Sequence, residues 1–369
     1  MLHGVETVVD VVLVVIGAAL VLAVVDSAVR TFVLPRGVVS ALTRAVFQAS
    51  RAVFRLATTP MRTYEARDRA MALYAPLTLF ALVLVWVGLV LVGFACIFRA
   101  LVFDSWAFAF EMSGSSFFTL GFVRPPDGAG GWGYGLAFVE AAMGLALFAL
   151  LIAYLPTIYG AFSKRELAVA RLAARAGTPP SAVEMLIRFH TIGASSTLPE
   201  LWDEWESWFA ELGETHTTFA MLAFFRSPNP HRSWVTSAGA VLDAAALAQS
   251  TLSIPWSPQA GLCIRAGYLA LRDIAVLYRI PFDTDPAPDD PISIAHEEFL
   301  EAYEALGAAG VPVRSDREKA WRDFAGWRVN YDSVLLELAS ITIAPYAPWS
   351  SDRSLSRSPR SRWRRSGRR

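Results

Sequence analysis

Residues 106–123 read WAFAFEMSGSSFFTLGFV, and this stretch lies between two longer apolar runs. Taken alone, it predicts a short apolar helix that leads into Thr119-Leu120-Gly121-Phe122. The flanking runs, 70–98 and 132–163, are each long enough to cross a bilayer, which requires about 20 apolar residues. A helix that is too short to span, held between two spans, predicts a re-entrant segment whose non-helical part is enclosed by protein or faces water. A short interfacial helix that packs on the outer leaflet is the alternative.

The composition of the chain is that of a membrane protein. Of 369 residues, 54% are hydrophobic and 18% are charged, and the mean hydropathy is +0.40, whereas an ordinary soluble domain has about 25% charged residues. The net charge is zero, which indicates no nucleic-acid partner. Cys96 and Cys263 lie in segments of different character, and the five histidines are scattered. We therefore expect no disulfide, no metal site, no cofactor and no enzymatic activity.

The N-terminal part, residues 1–37, predicts a first transmembrane helix over 8–34. A cleaved signal peptide is the alternative, but acidic residues stand where its basic segment should be. Residues 38–69 then predict a basic amphipathic helix, with Arg44, Arg51, Arg55 and Arg62 on one face. Such a helix is suited to the surface of a membrane with anionic lipids, and an ordinary connecting helix is the alternative.

The charges on either side of the spans indicate their orientation. Residues 30–69 hold eight arginines and two acids, and Lys164, Arg165, Arg171 and Arg175 follow the third span. Basic segments next to spans remain in the cytoplasm. We therefore expect a multi-pass protein of the plasma (cell) membrane with three spans, an external N-terminus and a cytoplasmic C-terminal domain.

The second half of the chain is more polar than the first. Residues 165–345 predict a helical cytoplasmic domain, because their apolar stretches, such as 238–252 and 261–280, are too short or too charged to span. Residues 346–369 are rich in arginine and serine and predict a disordered basic tail.

Residues 70–164 resemble the pore domain of two-helix-type potassium channels, with an outer helix, a short helix, Thr-Leu-Gly-Phe and an inner helix in that order. In that family the filter is Thr-Val-Gly-Tyr-Gly followed by Asp. The matching positions here are Thr119, Leu120, Gly121, Phe122 and Val123, followed by Arg124. Val123 replaces the second glycine and Arg124 replaces the acid, and both positions bear on ion selectivity. A literal Gly133-Tyr134-Gly135 follows a loop rich in proline and glycine, so no pore helix can precede it.

The resemblance implies an all-α membrane protein with three transmembrane helices, a re-entrant pore helix and filter loop, and a helical cytoplasmic C-terminal domain. Its implied function is conduction of monovalent cations, potassium above all, by a homotetramer. A non-conducting membrane receptor or scaffold that retains a degenerate pore fold is the alternative. A transporter is less favoured, because no inverted repeat is evident.

Side chains on either side of the filter predict a mouth and a gate. Arg124, Asp127 and Glu140 are expected at the pore mouth, where four copies of Glu140 would form an acidic ring; the alternative for Glu140 is a solvated charge at the start of a helix. Expected gate or hinge residues on the inner helix are Gly144, Phe148, Ile152 and Pro156. The alternatives are that Gly144 is a close-packing contact and that Pro156 marks the helix end.

Overall fold

The structure, a computed structural model, describes residues 2–32, 34, 39–61, 63–126 and 130–354. These residues form α-helices, short 3₁₀ turns and connecting loops, with no strand among them. The chain divides into two compact units, Met1–Gly160 with Thr218–Phe225, and Ala161–Thr217 with Arg226–Arg369. Three helical stretches are long and apolar enough to cross a membrane: Thr7–Phe32, Tyr64–Leu101 and Gly131–Ala176.

The first unit is built around the packing of its first span against its second. Its helices are α1 (Leu2–Phe32), α2 (Ala41–Thr58), α3 (Tyr64–Ala72), α4 (Tyr74–Leu101), α5 (Trp106–Phe117) and most of α6 (Gly130–Ala176). The backbones of α1 and α4 meet at two glycines. A β-carbon on Gly17 would lie 2.4 Å from the carbonyl oxygen of Gly93, and one on Gly93 would lie 2.9 Å from the carbonyl oxygen of Gly17. Glycines let membrane helices approach this closely.

A buried polar cluster joins α1, α2 and α4. The Trp86 indole N–H donates to Ser27 Oγ at 3.0 Å, and Ser40 Oγ donates to the same oxygen at 2.9 Å. Thr43 Oγ1 lies 2.8 Å from Ser27 Oγ, and the backbone N–H of Thr43 donates to Ser40 Oγ at 3.0 Å. Ser40 thus caps α2 and also fixes the start of α2 against the two spans.

Residues 38–69 form parts of two helices instead of the single predicted one. The chain leaves α2 after Thr58 and passes through Pro60, and Thr63 then caps α3 by accepting from the N–H of Ala66 at 3.3 Å. Arg44, Arg51 and Arg55 share one edge of α2 by their spacing. Val53 and Leu56, which the same spacing places away from that edge, are 63% and 76% exposed. Arg62 lies outside the described residues.

The third span, α6, continues beyond the point at which the sequence predicts its end. It runs for 47 residues with Pro156 inside it, and neither Pro156 nor Lys164-Arg165 stops it. Pro156 therefore does not mark the helix end. Gly133-Tyr134-Gly135 is helical and belongs to the first turns of α6.

An eight-residue segment that lies far along the chain, 218–225, belongs to the first unit. The ring of Phe219 meets that of Tyr154 on α6 at 5.5 Å, and the ring of Phe224 meets that of Tyr74 on α4 at 5.6 Å. The segment lies within residues 165–345, for which the sequence predicts a helical cytoplasmic domain.

The second unit is a helical domain around one fully buried helix. It contains the end of α6 and then α7 (Ala182–Thr191), α8 (Leu198–Thr218, except its last residue), α9 (Trp234–Ser250), α10 (Pro258–Tyr278), α11 (His296–Ala308), α12 (Arg317–Arg328), α13 (Asp332–Thr342) and α14 (Ser351–Ser354). Every residue of α9 is buried, because α7, α10, α12 and α13 pack around it. This agrees with the interpretation of 238–252 as a core helix and not as a span.

An ion cluster lies beside α9 in this unit. The Arg328 guanidinium, 0% exposed, donates to Asp243, to Asp332 at 2.9 Å and to the carbonyl oxygen of Trp349 at 2.6 Å. The Tyr331 hydroxyl donates to Asp243 at 2.9 Å. Burial alone would lower the pKa of Arg328, but the two carboxylates outweigh burial and raise it above its usual value.

The packed chain extends beyond residue 345, where the sequence analysis starts the tail. Trp349 accepts from Arg328, Ser350 and Ser351 are buried, and Arg353 pairs with Glu298 at 2.6 Å. The hydrogen bonds from Arg353 lower the pKa of Glu298. Residues 355–369, which hold most of the predicted basic tail, lie outside the described residues.

Candidate functional site

The candidate site is built on α5, the short helix between the second and third spans. Its twelve residues measure about 18 Å, too short for a hydrocarbon core of about 30 Å. Ala109, Met112 and Phe117 are buried, and α5 packs against α4. Trp106 and Phe110 of the same helix are each 44% exposed. The helix predicted within residues 106–123 is therefore present, and it ends at Phe117.

The loop after α5 folds back on the last turns of that helix. Thr119 and Gly121 have φ angles of 56° and 71°, in the left-handed region that residues with a β-carbon avoid. The backbone N–H groups of Leu120 and Gly121 donate to the carbonyl oxygen of Ser115 at 2.8 and 3.4 Å. The N–H of Val123 donates to Ser115 Oγ at 3.3 Å. Ser115 therefore fixes the loop from behind.

The carbonyl groups of this loop differ from its N–H groups in their hydrogen bonding. Within the described part of the chain, no group donates a hydrogen bond to the carbonyl oxygens of residues 119–123. Leu120 and Phe122 are 63% and 67% exposed, and Thr119 and Gly121 are exposed as well. The loop thus combines backbone donors that are largely satisfied within the subunit with a run of carbonyl acceptors that are open.

One face of α6 supports α5 through three residues spaced four apart, Glu140, Gly144 and Phe148. Glu140 meets Ser113, where the two side-chain oxygens lie 2.5 Å apart. Gly144 lies against Phe117, since a β-carbon on this glycine would be 2.3 Å from the Phe117 carbonyl oxygen. The ring of Phe148 meets the rings of Phe117 and Phe118 at 5.9 and 6.4 Å.

Both interpretations of Glu140 from the sequence require contact with water, either at the pore mouth or at the start of a helix. In the subunit, Glu140 has no such contact. It is 0% exposed, and its Oε2 atom is buried with no hydrogen-bond partner among the described residues. The reason is the register of α6, which turns this position toward α5. Arg124 is exposed beside the loop, without an ion pair in the part of the chain that the structure describes. Asp127 lies outside the described residues.

The expected gate residues follow one another at four-residue spacing along α6, but they differ in their surroundings. Gly144 and Phe148 face α5, so the geometry of Gly144 is that of the close-packing contact. Ile152 is 71% exposed, and the nearby Leu145 and Leu155 are 61% and 50% exposed. Pro156 lies inside the helix. α6 therefore supports α5 through Gly144 and Phe148 and presents exposed apolar side chains at Leu145 and, further along, at Ile152 and Leu155.

The supporting roles of Ser113 and Ser115 are not among the predictions from the sequence. Both serines are buried, and a hydroxyl that is buried in a largely apolar helix needs a hydrogen-bond partner. That requirement was the available signal. No group of His, Cys, Asp and Glu residues that could hold a metal ion occurs in the described ranges.

Comparison of the chain with protein-family models, with curated proteins and with solved structures finds no match. The resemblance to potassium-channel pore domains therefore rests on the residues and motifs of residues 70–164.

Proposed function

We propose that this chain is a subunit of an integral-membrane channel for monovalent cations, with potassium as the favoured ion. The observation that carries the proposal is the loop after α5, in which Ser115 binds backbone N–H groups while the described chain offers no donor to the carbonyls of 119–123. Selectivity filters coordinate cations with rows of backbone carbonyls that replace the hydration shell. Residues Thr119–Val123 are accordingly the proposed filter.

The position of the loop in the chain supports this proposal. Non-helical backbone at membrane depth is tolerated where it is buried in protein or lines water. The loop lies between α4 and α6, both parts of stretches long enough to span, and it follows a helix that is not. A carbonyl without a hydrogen-bond partner at this depth costs free energy when it faces lipid, whereas it is stabilised when it coordinates a cation.

A single loop cannot surround an ion, so the proposal requires several copies of the chain. We infer a homotetramer, as the resemblance implies. The exposed apolar face of α6, with Leu145, Ile152 and Leu155, provides surface that a neighbouring subunit can cover. The second unit is then an assembly or regulatory module.

A non-conducting receptor or scaffold is the second candidate, favoured by two residues next to the loop. Arg124 places a positive charge beside the proposed filter, and Glu140, a candidate to neutralise it, is buried against α5. Val123 has a β-carbon at a position where the resembled family has glycine. Both residues depart from the filter pattern of that family, and both oppose the entry of cations.

The proposed orientation has the N-terminus outside, the second unit in the cytoplasm and the protein in the plasma membrane, because the basic segments that flank the spans agree. We propose that α2 lies at the cytoplasmic membrane surface. There Arg44, Arg51 and Arg55 would meet anionic lipid headgroups, and Val53 and Leu56 would enter the acyl boundary.

The test is cation flux through the purified full-length protein in liposomes and planar bilayers. Potassium should pass, and Gly121→Ala should reduce the current, because alanine disfavours a φ of 71° by about 1–2 kcal/mol. Thr119→Val should reduce it as well. Gly131→Ala is the matched control, since nothing lies within 4 Å of a β-carbon at that position in α6.

Three outcomes discriminate between the candidates. Potassium current that depends on Gly121 and Thr119 supports the channel. If an intact tetramer passes no cation current under any condition, the result favours the scaffold. Current that does not distinguish potassium from sodium retains the channel and assigns the loss of selectivity to Val123 and Arg124.

A further inference from the structure

Glu140 is an ionisable side chain inside the third span that the proposed conduction path does not use. It lies eight residues after Trp132, about 12 Å along α6, and it is 0% exposed. An ionisable group in such a place is costly, and where it occurs it commonly has a functional partner. Its partner here is Ser113 of α5, at 2.5 Å.

The hydrogen-bond geometry around Ser113 indicates where a proton must be. Ser113 Oγ lies 2.5 Å from Glu140 Oε1 and 3.1 Å from the carbonyl oxygen of Leu91 on α4. A hydroxyl group has one proton to donate, whereas an ionised Glu140 and the Leu91 carbonyl are both acceptors. A protonated Glu140 satisfies both contacts, because Glu140 donates to Ser113 and Ser113 donates to Leu91.

Among the residues that the structure describes, no basic side chain forms an ion pair with Glu140. On the described helices that pack around it, Arg99 of α4 donates to the carbonyl oxygen of Phe103, and Glu111 of α5 is exposed. Cys96 of α4 faces α1, next to Gly17. With Oε2 buried and unbonded, an ionised Glu140 would be an unpaired buried charge, which is far more costly than a neutral acid.

We propose that Glu140 carries a proton and that its hydrogen bond to Ser113 positions α5. Because Ser115 of α5 binds the loop after this helix, the same hydrogen bond also positions that loop. Glu140 is thus a positioning residue. Ser113 precedes Ser115 by two positions in the same rigid helix, so a shift of α5 at Ser113 moves the anchor of Leu120, Gly121 and Val123. The effect on conduction rests on the proposed function, whereas the proton and the position of α5 do not.

Four variants of the full-length protein separate the hydrogen bond from bulk and charge. Glu140→Gln retains a donor for Ser113, and Glu140→Leu retains volume without a donor. Ser113→Ala removes the receiving hydroxyl. Glu111→Gln, which changes an exposed carboxyl on α5, is the matched control.

The first readout is the infrared spectrum of the protein in detergent at neutral pH, which is independent of conduction. The spectrum should contain a protonated-carboxyl carbonyl band that is lost in Glu140→Gln and retained in Glu111→Gln. If Glu140→Gln instead removes only carboxylate absorption, the proposal is overturned.

The second readout is thermal unfolding together with potassium flux. Glu140→Gln should match the parent protein, whereas Glu140→Leu and Ser113→Ala should unfold earlier and lose flux by about tenfold, the factor expected for one hydrogen bond. Equal behaviour of the Gln and Leu variants would refute the positioning role. If the parent protein passes no current, the proposed function fails, and the infrared band and the order of unfolding still decide the role of Glu140.

Discussion

The carbonyl oxygen of Phe117 occupies the space into which a side chain on Gly144 would project, since a β-carbon there would lie 2.3 Å from it. The obstacle is backbone at the end of α5 and not a flexible side chain. We predict that Gly144→Ala destabilises the first unit by about 1–3 kcal/mol, the usual cost of overpacking, and that potassium flux falls with it. The measurement is thermal unfolding in detergent. The control is Gly160→Ala on the same helix, where nothing lies within 4 Å, so that substitution should be neutral or slightly stabilising. Equal effects of the two substitutions would contradict the prediction.

The second prediction concerns the crossing of α1 and α4. A β-carbon on Gly93 would lie 2.9 Å from the backbone oxygen of Gly17, so Gly93→Ala should push the helices apart. Cys96, buried at this crossing, should then react faster with a membrane-permeable thiol reagent in a Cys263→Ser background. Gly88→Ala on the same helix, with open space around it, should leave the rate unchanged. The Gly17→Ala/Gly93→Ala pair should cost less than the sum of the single substitutions, because both disrupt one contact.

The ion cluster of the second unit predicts a large effect from a single charge. Arg328→Met removes the partner of the buried carboxyl Asp243 and should destabilise the second unit by about 3–5 kcal/mol. Arg322→Met on the same helix changes an exposed arginine and should stay within about 0.5 kcal/mol. Labelling of the buried Cys263 as a function of urea, in a Cys96→Ser background, measures both. Adding Asp243→Asn to Arg328→Met should recover part of the loss, because the unpaired charge is then gone; no recovery would show that lost packing is the cause.

His216 predicts how the stability of the second unit depends on pH. Its Nδ1 lies 2.9 Å from the carbonyl oxygen of Leu212, and its Nε2 lies 3.2 Å from an Arg165 guanidinium nitrogen, so Nδ1 is the donor and the ring is neutral. Burial, and then the charge of Arg165, lower the pKa of His216 well below its usual value. The unfolded chain therefore binds a proton that the folded chain does not. Stability from this group is present above pH of about 6.5 and is lost below it, by up to about 1.4 kcal/mol per pH unit.

The measurement for His216 is the urea dependence of Cys263 labelling between pH 5 and pH 8. His216→Asn should flatten the pH dependence, although it also lowers stability at pH 8 by leaving a cavity. His231→Asn changes an exposed histidine and should retain the slope of the parent protein. An unchanged slope in His216→Asn would show that other groups cause the dependence.

The proposed orientation predicts which exposed positions react from outside the cell. In a chain with Cys96 and Cys263 replaced by serine, Pro126→Cys beyond the proposed filter should react with a membrane-impermeant reagent in intact cells. Gln48→Cys on α2 and Glu297→Cys in the second unit should react after permeabilisation alone. All three native residues are exposed, so burial does not account for a difference. The reverse pattern would invert the topology and place the proposed filter on the cytoplasmic side.

Features that depend on local composition could be predicted from the sequence. A span needs length and apolar side chains, and the three predicted runs correspond to the three helical stretches long and apolar enough to cross a membrane. The helix within 106–123 and the buried helix α9, which covers most of 238–252, follow from the same local signal. The ends of helices were less predictable. Pro156 and the Lys164-Arg165 pair are typical signals for the end of a span, yet α6 passes through both.

Three long apolar helices, a short apolar helix between the last two, and a polar second half all follow from the sequence alone. The tertiary structure decided what the residues around the short helix contact. Glu140 and Gly144 can face water, lipid or α5 equally well as far as their own segment is concerned. They face Ser113 and Phe117 because α5 packs against that side of α6. Burial and hydrogen bonding are properties of pairs of elements, so they become visible only when both elements are in place.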